Sequence, residues 1–497
     1  MAQVADIFII GGGINGVGIA RDAAGRGLKV ILAEKDDLAS HTSSSSSKLI
    51  HGGLRYLEHY EFRLVRESLM EREILLNAAP HLIRPLRFVL PHHKGLRPAF
   101  ILRLGLFLYD YIGGRKILPP TKTLALTKHP HGKPLKPTLT KGFEYSDCWV
   151  DDARLVAMSA VDAARHGATI LTRTKVLGAK RQKGLWNITV REPNGEMHVI
   201  KASALVNAAG PWVDKIEDKA SPPPQSSKQI KMVKGSHIVV PRLYHGEQAF
   251  TFQHTDGRVI FTIPYENNYT LIGTTDVAFS GDPDQVSIDK HEKEYLCSVV
   301  SEYLEAPVIP ESIIWSYAGV RPLVDDGAEN ASKTTRDYVL ELDTQEGAPM
   351  LSVYGGKITT FRCLAEEALE KLQAFLQYGG QPWTASAPLP GGEMGYENIV
   401  FYIGAIKTAY PWLPDSLCHR YIRSYGTLTE TLLSRKTSLE DMGQAFGASL
   451  YEAELVYLKQ HEWATTAEDA LWRRSKLGLH MTEEEQHSVA QWFESQP

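Results

Sequence analysis

The chain has 497 residues, of which 43% are hydrophobic and 23% charged, a composition that excludes a disordered or fibrous class; its length suits roughly two to four domains. A net charge of −4, from 54 basic and 58 acidic residues, excludes a globally basic nucleic-acid binder. Four scattered cysteines, Cys148, Cys297, Cys363 and Cys418, form no CxxC pair, so no metal site or disulfide framework is expected, and no apolar run approaches the ~18 residues of a membrane span.

Ala5 to Ile10 is a short apolar run that predicts a parallel strand buried on both faces. No basic region precedes it, so the N-terminus reads as a first strand and not as a signal peptide. Gly11-Gly12-Gly13-Ile14-Asn15-Gly16 then turns into a predicted helix from Val17 to Arg26, closed by Gly27. In such a turn Gly11 permits the bend, Gly13 lets backbone approach a pyrophosphate, and Gly16 packs helix on strand. Lys29 to Glu34 is a second strand ending in an acid, placed to bind a ribose diol and to disfavour a 2′-phosphate.

From Val89 to Thr140 the texture becomes rich in proline and basic residues. Asp151 to Gly167 has helical spacing, and two β-rich stretches follow at 168–206 and 229–276, separated by a loop from Ser221 to Ser227. Leu205 to Gly210 is an apolar strand ending in small residues, and Leu351 to Lys357 leads into a predicted helix from Ile358 to Leu372. These two later turns favour FAD over NAD: at the first, backbone can pass close to a bound cofactor, and at the second the helix N-terminus could face the reduced flavin's negative charge. Pro388 to Gly392 reads as a linker, and 398–497 as a helical region with helices at Leu450 to His461 and Ala467 to Leu477. One low-complexity patch, Ser43 to Ser47, stands out.

Several longer motifs carry a resemblance. The segment from Ser44 to Leu57 is one, with Lys234 to His237, Ile272 to Asp276, Gly319 to Pro322, Thr335 to Tyr338 and Gly355 to Thr360. Together they closely resemble the FAD-dependent sn-glycerol-3-phosphate dehydrogenases, most of all the aerobic bacterial branch of this D-amino-acid-oxidase-like family. The resemblance implies an α/β (α+β) fold: a Rossmann-type FAD-binding domain interleaved with a β-rich substrate domain over 1–387, and a C-terminal all-helical domain over 388–497. The FAD-binding part is expected mainly at 1–80, 145–225 and 335–387, and the substrate- and membrane-facing part at 81–144 and 226–334. The implied reaction oxidises glycerol 3-phosphate to dihydroxyacetone phosphate and passes electrons from FAD to a membrane quinone, in a homodimer. No calcium-loop pattern of the mitochondrial form follows the C-terminal region.

Oxidising a secondary alcohol with flavin needs a base for the hydroxyl proton, a hydride acceptor and positive charge beside the reduced flavin. A phosphorylated substrate adds a cationic clamp, in which each charge-assisted hydrogen bond contributes about 1.5–3 kcal/mol. Carried over from the family motifs, Arg55, Tyr56, Thr274 and Arg336 are expected to bind substrate, with Arg321 and Lys357 near its hydroxyl and the flavin. His237 is the expected base, since imidazole titrates near neutrality. The expected cofactor contacts are Gly11, Gly13, Gly16, Glu34, Ser45, Ser47, Lys48, Gly53, Val176, Ala209, Gly210, Gly356, Lys357, Ile358 and Thr359.

Residues 82–142 hold twelve Lys or Arg against the single acid Asp110, a local +11, and enclose the apolar stretch Ala99 to Ile112 behind Pro98. This pattern predicts a monotopic anchor, apolar face in the lipid and cations on anionic headgroups; a core helix beside a solvated basic loop is the bland alternative. The expected location is cytoplasmic, bound peripherally to the inner face of the cytoplasmic membrane. Two rival functions fit the same residues: a sister flavoprotein whose Arg321 and Arg336 clamp the carboxylate of an amino or hydroxy acid, and a non-catalytic flavoprotein-fold carrier.

Overall fold

The computed structural model describes residues 4–225, 228–254, 256–325 and 336–496. Thr335 of the expected substrate motif and Ser226 and Ser227 of the predicted loop lie outside the described residues. The first apolar run forms the strand Ala5–Ile10, and the glycine turn opens the helix Ile14–Gly25, longer at its start than predicted. Ala5–Ile10 pairs in parallel with Val30–Ala33 on one side and with Met197–Asn207 on the other. Met197–Asn207 pairs in parallel in turn with Met350–Tyr354, and Thr169–Leu171 extends the opposite edge. Among the described residues this makes a nine-stranded sheet, with Lys175–Gln182 and Leu185–Arg191 added antiparallel beyond Met197–Asn207, Ala220–Ser221 parallel at that edge, and Val339–Asp343 antiparallel to Met350–Tyr354. Its central strands read as unbroken apolar runs because Ile14–Gly25, Asp152–Arg165 and Phe361–Leu372 pack together and share a core with them.

A second, ten-stranded sheet holds the other β-rich stretch. Its long antiparallel pairs are Ile83–His92 with Lys141–Val150, and Ile230–Pro241 with both Tyr269–Gly273 and Trp315–Val324. The basic, proline-rich segment between Ile83–His92 and Lys141–Val150 contains the helix Ala99–Tyr111, with Pro98 as its N-cap. Only Leu106, Tyr109 and Asp110 of that helix are buried. Phe100 is 74% exposed and Leu104 60%, so the helix presents a wide apolar face outward.

The C-terminal region is mainly helical, with Ile399–Ala409, Asp415–Tyr425, Glu452–Glu462 and Glu483–Ser495. It departs from expectation in two places. Leu450–Tyr451 pairs with Ala445–Gly447 as a small hairpin before its helix begins, and only Asp469–Arg474, a π-helix, stands where a helix to Leu477 was predicted. Arg473 and Arg474 are drawn into buried ion pairs there, which override the helical spacing of the apolar residues. One continuous apolar cluster runs from Ile7 through Leu364 to Tyr421 and Phe493, so this region shares a core with the first sheet.

Candidate active site

A cavity of about 550 Å³ lies between the two sheets. At one end it is walled by the glycine turn, where close approach leaves no room for side chains. A Cβ on Gly11 would lie 2.5 Å from the Ala208 carbonyl oxygen, and Gly11 has φ +111°, a backbone state that favours glycine. A Cβ on Gly16 would lie 2.0 Å from the Gly11 carbonyl oxygen, so Gly16 serves packing and does not itself line the cavity. Gly13 caps the helix Ile14–Gly25 without a side-chain hydrogen bond. The Ile14 amide donates to Ser43 Oγ at 3.0 Å, and the rest of the helix N-terminus offers a pyrophosphate its dipole and amides.

Glu34 is buried beside this turn and lines the cavity. Its Oε2 accepts from the Gly12 amide at 2.6 Å and its Oε1 from the Asp36 amide at 2.9 Å. Burial raises its pKa, and the two amides oppose that rise. The carboxylate is therefore fixed in direction and retains lone pairs for a ribose diol. Ser45, Ser47, Gly53, Val176, Ala209, Gly210, Gly356, Lys357, Ile358 and Thr359 all line the same cavity. This continuous wall, from a phosphate cradle to a Lys-bearing glycine turn, fits an extended dinucleotide such as FAD.

At the other end, three arginines converge on one acid. Arg321 Nη1 lies 2.7 Å and Arg336 Nη2 3.1 Å from Asp276 Oδ1, and Arg55 Nη1 lies 4.0 Å from Asp276 Oδ2. Arg321 also donates to Thr274 Oγ1 at 2.9 Å. Among the described residues, Arg336 Nη1 is buried with no hydrogen-bond partner, a donor waiting for an acceptor. Tyr56 lies within the same cluster, and the Lys357 ammonium sits 5.0 Å over its ring. Burial lowers the Lys357 pKa to about 8 despite nearby carboxylates. A dianion with several oxygens would satisfy this excess of positive charge.

Besides Gly16, two expected residues are not brought to the cavity. His237 is buried behind it: its Nε2 lies 2.9 Å from Ser47 Oγ, and its ring stacks on Tyr317 with centroids 4.8 Å apart. Its Nδ1 has no partner among the described residues, and burial, with Arg321 and Lys48 adding, holds its pKa well below the usual histidine value. Lys48 also lies outside the lining, donating to Asp152 Oδ1 at 2.8 Å and to the Ser44 carbonyl at 3.0 Å. It braces the serine segment from behind.

Two imidazoles line the cavity: His41, held 2.8 Å from Asp36 Oδ2, and, beside Lys357, His51. Burial first, then Lys357 and Arg72, lowers the His51 pKa to about 3, so this ring is neutral at pH 7. His51 and Asp276 lie inside the sequence motifs but have no role assigned by them. The signal available was their position beside Gly52 and Thr275, but only the fold shows which side chains reach the cavity.

Residues 6–362 match the family described as FAD dependent oxidoreductase, and residues 382–494 match the C-terminal domain of alpha-glycerophosphate oxidase. The chain is 53% identical to the D-erythritol 1-phosphate dehydrogenase of Brucella abortus, over 99% of this chain and 98% of that protein. It is 51% identical to the glycerol-3-phosphate dehydrogenase of Pseudomonas aeruginosa, over 100% of this chain and 96% of the relative. The aerobic glycerol-3-phosphate dehydrogenase of Escherichia coli is 48% identical, over 99% and 97%. Among solved structures, the glycerol-3-phosphate dehydrogenase of Bacillus halodurans complexed with FAD superposes with a TM-score of 0.78 at 25% identity, covering 99% of this chain and 94% of that one.

Proposed function

The chain belongs to the FAD-dependent oxidoreductase family, and from that premise we propose that it oxidises sn-glycerol 3-phosphate to dihydroxyacetone phosphate and delivers the electrons to a membrane quinone. The observation that carries the substrate class is the cluster of Arg55, Arg321 and Arg336 around Asp276, with Lys357 nearby over the Tyr56 ring and an Arg336 Nη1 that has no partner among the described residues. Three guanidinium groups match the geometry of a phosphate, where each bidentate contact also fixes orientation. Relatives named for phosphorylated polyols support the same assignment.

FAD, when bound, supplies the hydride acceptor. The protein holds the phosphate with Arg55, Arg336 and Tyr56, turns the secondary hydroxyl toward Lys357 and Arg321, and excludes water with the serine segment. The neutral imidazole of His51 accepts the hydroxyl proton. A bound dianion raises its basicity by opposing Lys357 and Arg72, whose charges depress it in the free protein. In this reading His237 acts only through the Ser47 hydroxyl, as an orienting group. His51→Asn then slows flavin reduction at saturating substrate more than His237→Asn does; the reverse order returns the base role to His237.

The quinone and membrane parts rest on the helix Ala99–Tyr111. Its Leu102 lines the cavity while Phe100, Leu104, Phe107 and Leu108 face outward, within the stretch of local charge +11. No described helix is long and apolar enough to cross a membrane, and this one fits a helix lying in the interface at the inner face of the cytoplasmic membrane. The homodimer belongs to the same reading, on the resemblance alone, and sedimentation velocity in detergent tests it.

A second substrate is favoured by the 53% identity to a D-erythritol 1-phosphate dehydrogenase. Both substrates share the phosphate and the adjacent secondary alcohol. The deciding experiment is anaerobic bleaching of the flavin absorbance by glycerol 3-phosphate and by D-erythritol 1-phosphate, with D-alanine and glycine as controls. Faster bleaching by the tetritol phosphate moves the assignment to it, and bleaching by the amino acids alone discards the phosphate reading.

A further inference from the structure

The loop that carries Glu34 has two sides. Glu34 and Lys35 face the cavity, and three residues after Glu34 the buried Asp37 points away from it. Both Asp37 oxygens are taken by the π-helix Asp469–Arg474: Arg474 Nη2 donates to Oδ1 at 2.7 Å, and Arg474 Nη1 and Arg473 Nε each donate to Oδ2 at 2.7 Å. Arg474 is further fixed by the Glu462 carbonyl at 2.6 Å. The same π-helix reaches the neighbouring turn, because Arg173 Nη2 donates to Asp469 Oδ2 at 2.6 Å. That turn is tied back to the loop: the Arg173 amide donates to the Asp36 carbonyl at 2.8 Å and the Thr174 amide to the Glu34 carbonyl at 2.7 Å. The loop also rests on the glycine turn, with the Ala39 amide donating to the Gly12 carbonyl at 3.2 Å.

A buried carboxylate is costly unless paired, and two arginines on one Asp fix its position in three directions. We propose that Arg473 and Arg474, with Arg173 as their link to the adjacent turn, are positioning residues for the adenosine half of FAD. The C-terminal region thus sets the placement of Glu34, Gly12 and Thr174 from outside the cavity. None of the three arginines lines the cavity, which separates this role from substrate binding. The proposal rests on Glu34 holding the ribose.

The test uses the full-length holoenzyme and three variants: Arg474→Gln, Arg173→Gln and Glu34→Ala. FAD release on dilution is read as flavin fluorescence, and melting temperatures are taken with and without excess FAD. Arg474→Gln is expected to speed FAD release about tenfold or more. It is also expected to narrow the gap between the two melting temperatures while kcat and KM at saturating FAD stay unchanged. Arg173→Gln leaves Asp469 its bonds to Arg473 and to the Thr465 and Thr466 amides, so it folds and decides the matter if Arg474→Gln does not. Equal falls of both melting temperatures with unchanged FAD release would show mere structural support and overturn the proposal. Unchanged release in Glu34→Ala as well would instead remove the ribose from Glu34, and the proposal with it.

Discussion

Gly235→Ala tests the cation cluster without touching a charged residue. Gly235 faces Gly319 across the paired strands Ile230–Pro241 and Trp315–Val324, and Arg321 crosses over it from the second strand. A Cβ at 235 would stand 2.4 Å from Arg321 Nη2 and 2.6 Å from its Cζ. Restoring ordinary contact requires the guanidinium to move by about 1 Å, and a misplacement of that size can cost about 10²-fold in rate. The guanidinium then leaves Asp276 and Thr274, now 2.7 and 2.9 Å away. The expected loss in kcat/KM for glycerol 3-phosphate is therefore on the order of 10²-fold, or about 2.7 kcal/mol of transition-state stabilisation. The displaced atoms end a flexible side chain, and 235 is not among the positive-φ glycines, so the melting temperature and FAD content stay near wild type. Steady-state kinetics with a quinone analogue or dye, beside flavin absorbance, reads all three quantities. An unchanged kcat/KM would refute the role given to Arg321.

Four further outcomes are expected. Gly16→Ala places a Cβ 2.0 Å from a backbone oxygen that cannot swing aside, so the purified protein lacks flavin absorbance. Lys357 titrates near 8, so its cation is present below pH 8 and lost above it; kcat/KM falls along an alkaline limb near that pH, and Lys357→Arg shifts the limb upward. In stability terms the sign is opposite: the folded pKa lies below the unfolded one, so the cost of burying the cation is greatest below pH 8 and is relieved as pH rises toward about 10.4. Glu292, buried, accepts from Ser236 Oγ at 2.9 Å and Thr275 Oγ1 at 2.7 Å and pairs with Lys234 at 2.7 Å. Glu292→Ala leaves those groups short of an acceptor, lowering stability by about 3 kcal/mol in thermal denaturation and raising KM through the Thr274–Asp276 loop. Phe100→Glu with Leu104→Glu removes about 1.5–3 kcal/mol of apolar transfer per side chain and abolishes co-sedimentation with anionic vesicles, while equal binding to neutral vesicles by the unaltered chain would refute the electrostatic part.

The nucleotide-binding half was legible because its parts are local. A strand, a glycine turn, a helix and an acid occur within thirty-odd residues, and each part has its own sequence rule. The cation cluster was legible only through long motifs, since Arg55, Arg321 and Arg336 come from distant segments that no periodicity relates. The faces of residues within a motif were not legible. Ser47, Lys48 and His51 are near neighbours, yet Ser47 and His51 line the cavity while Lys48 turns inward to Asp152. His237 illustrates the same limit: a Cβ on Gly273, opposite it in the adjoining strand, would lie 2.0 Å from its ring, and that close packing holds it behind Ser47. The π-helix was unreadable for another reason, because the ion pairs that shape it run to Asp37, more than four hundred residues away.

The strand order also bears on when the protein can acquire its cofactor during synthesis. Ala5–Ile10 is complete almost at once, but its neighbour Met197–Asn207 and that strand's partner Met350–Tyr354 emerge far later. The cavity wall closes only with Ile358 and Thr359. At the usual pace of about 5–20 residues per second, the glycine turn waits tens of seconds beside unfinished sheet edges. The cofactor cavity is thus complete only late in synthesis, and the first strand's edges stay without their sheet partners until then.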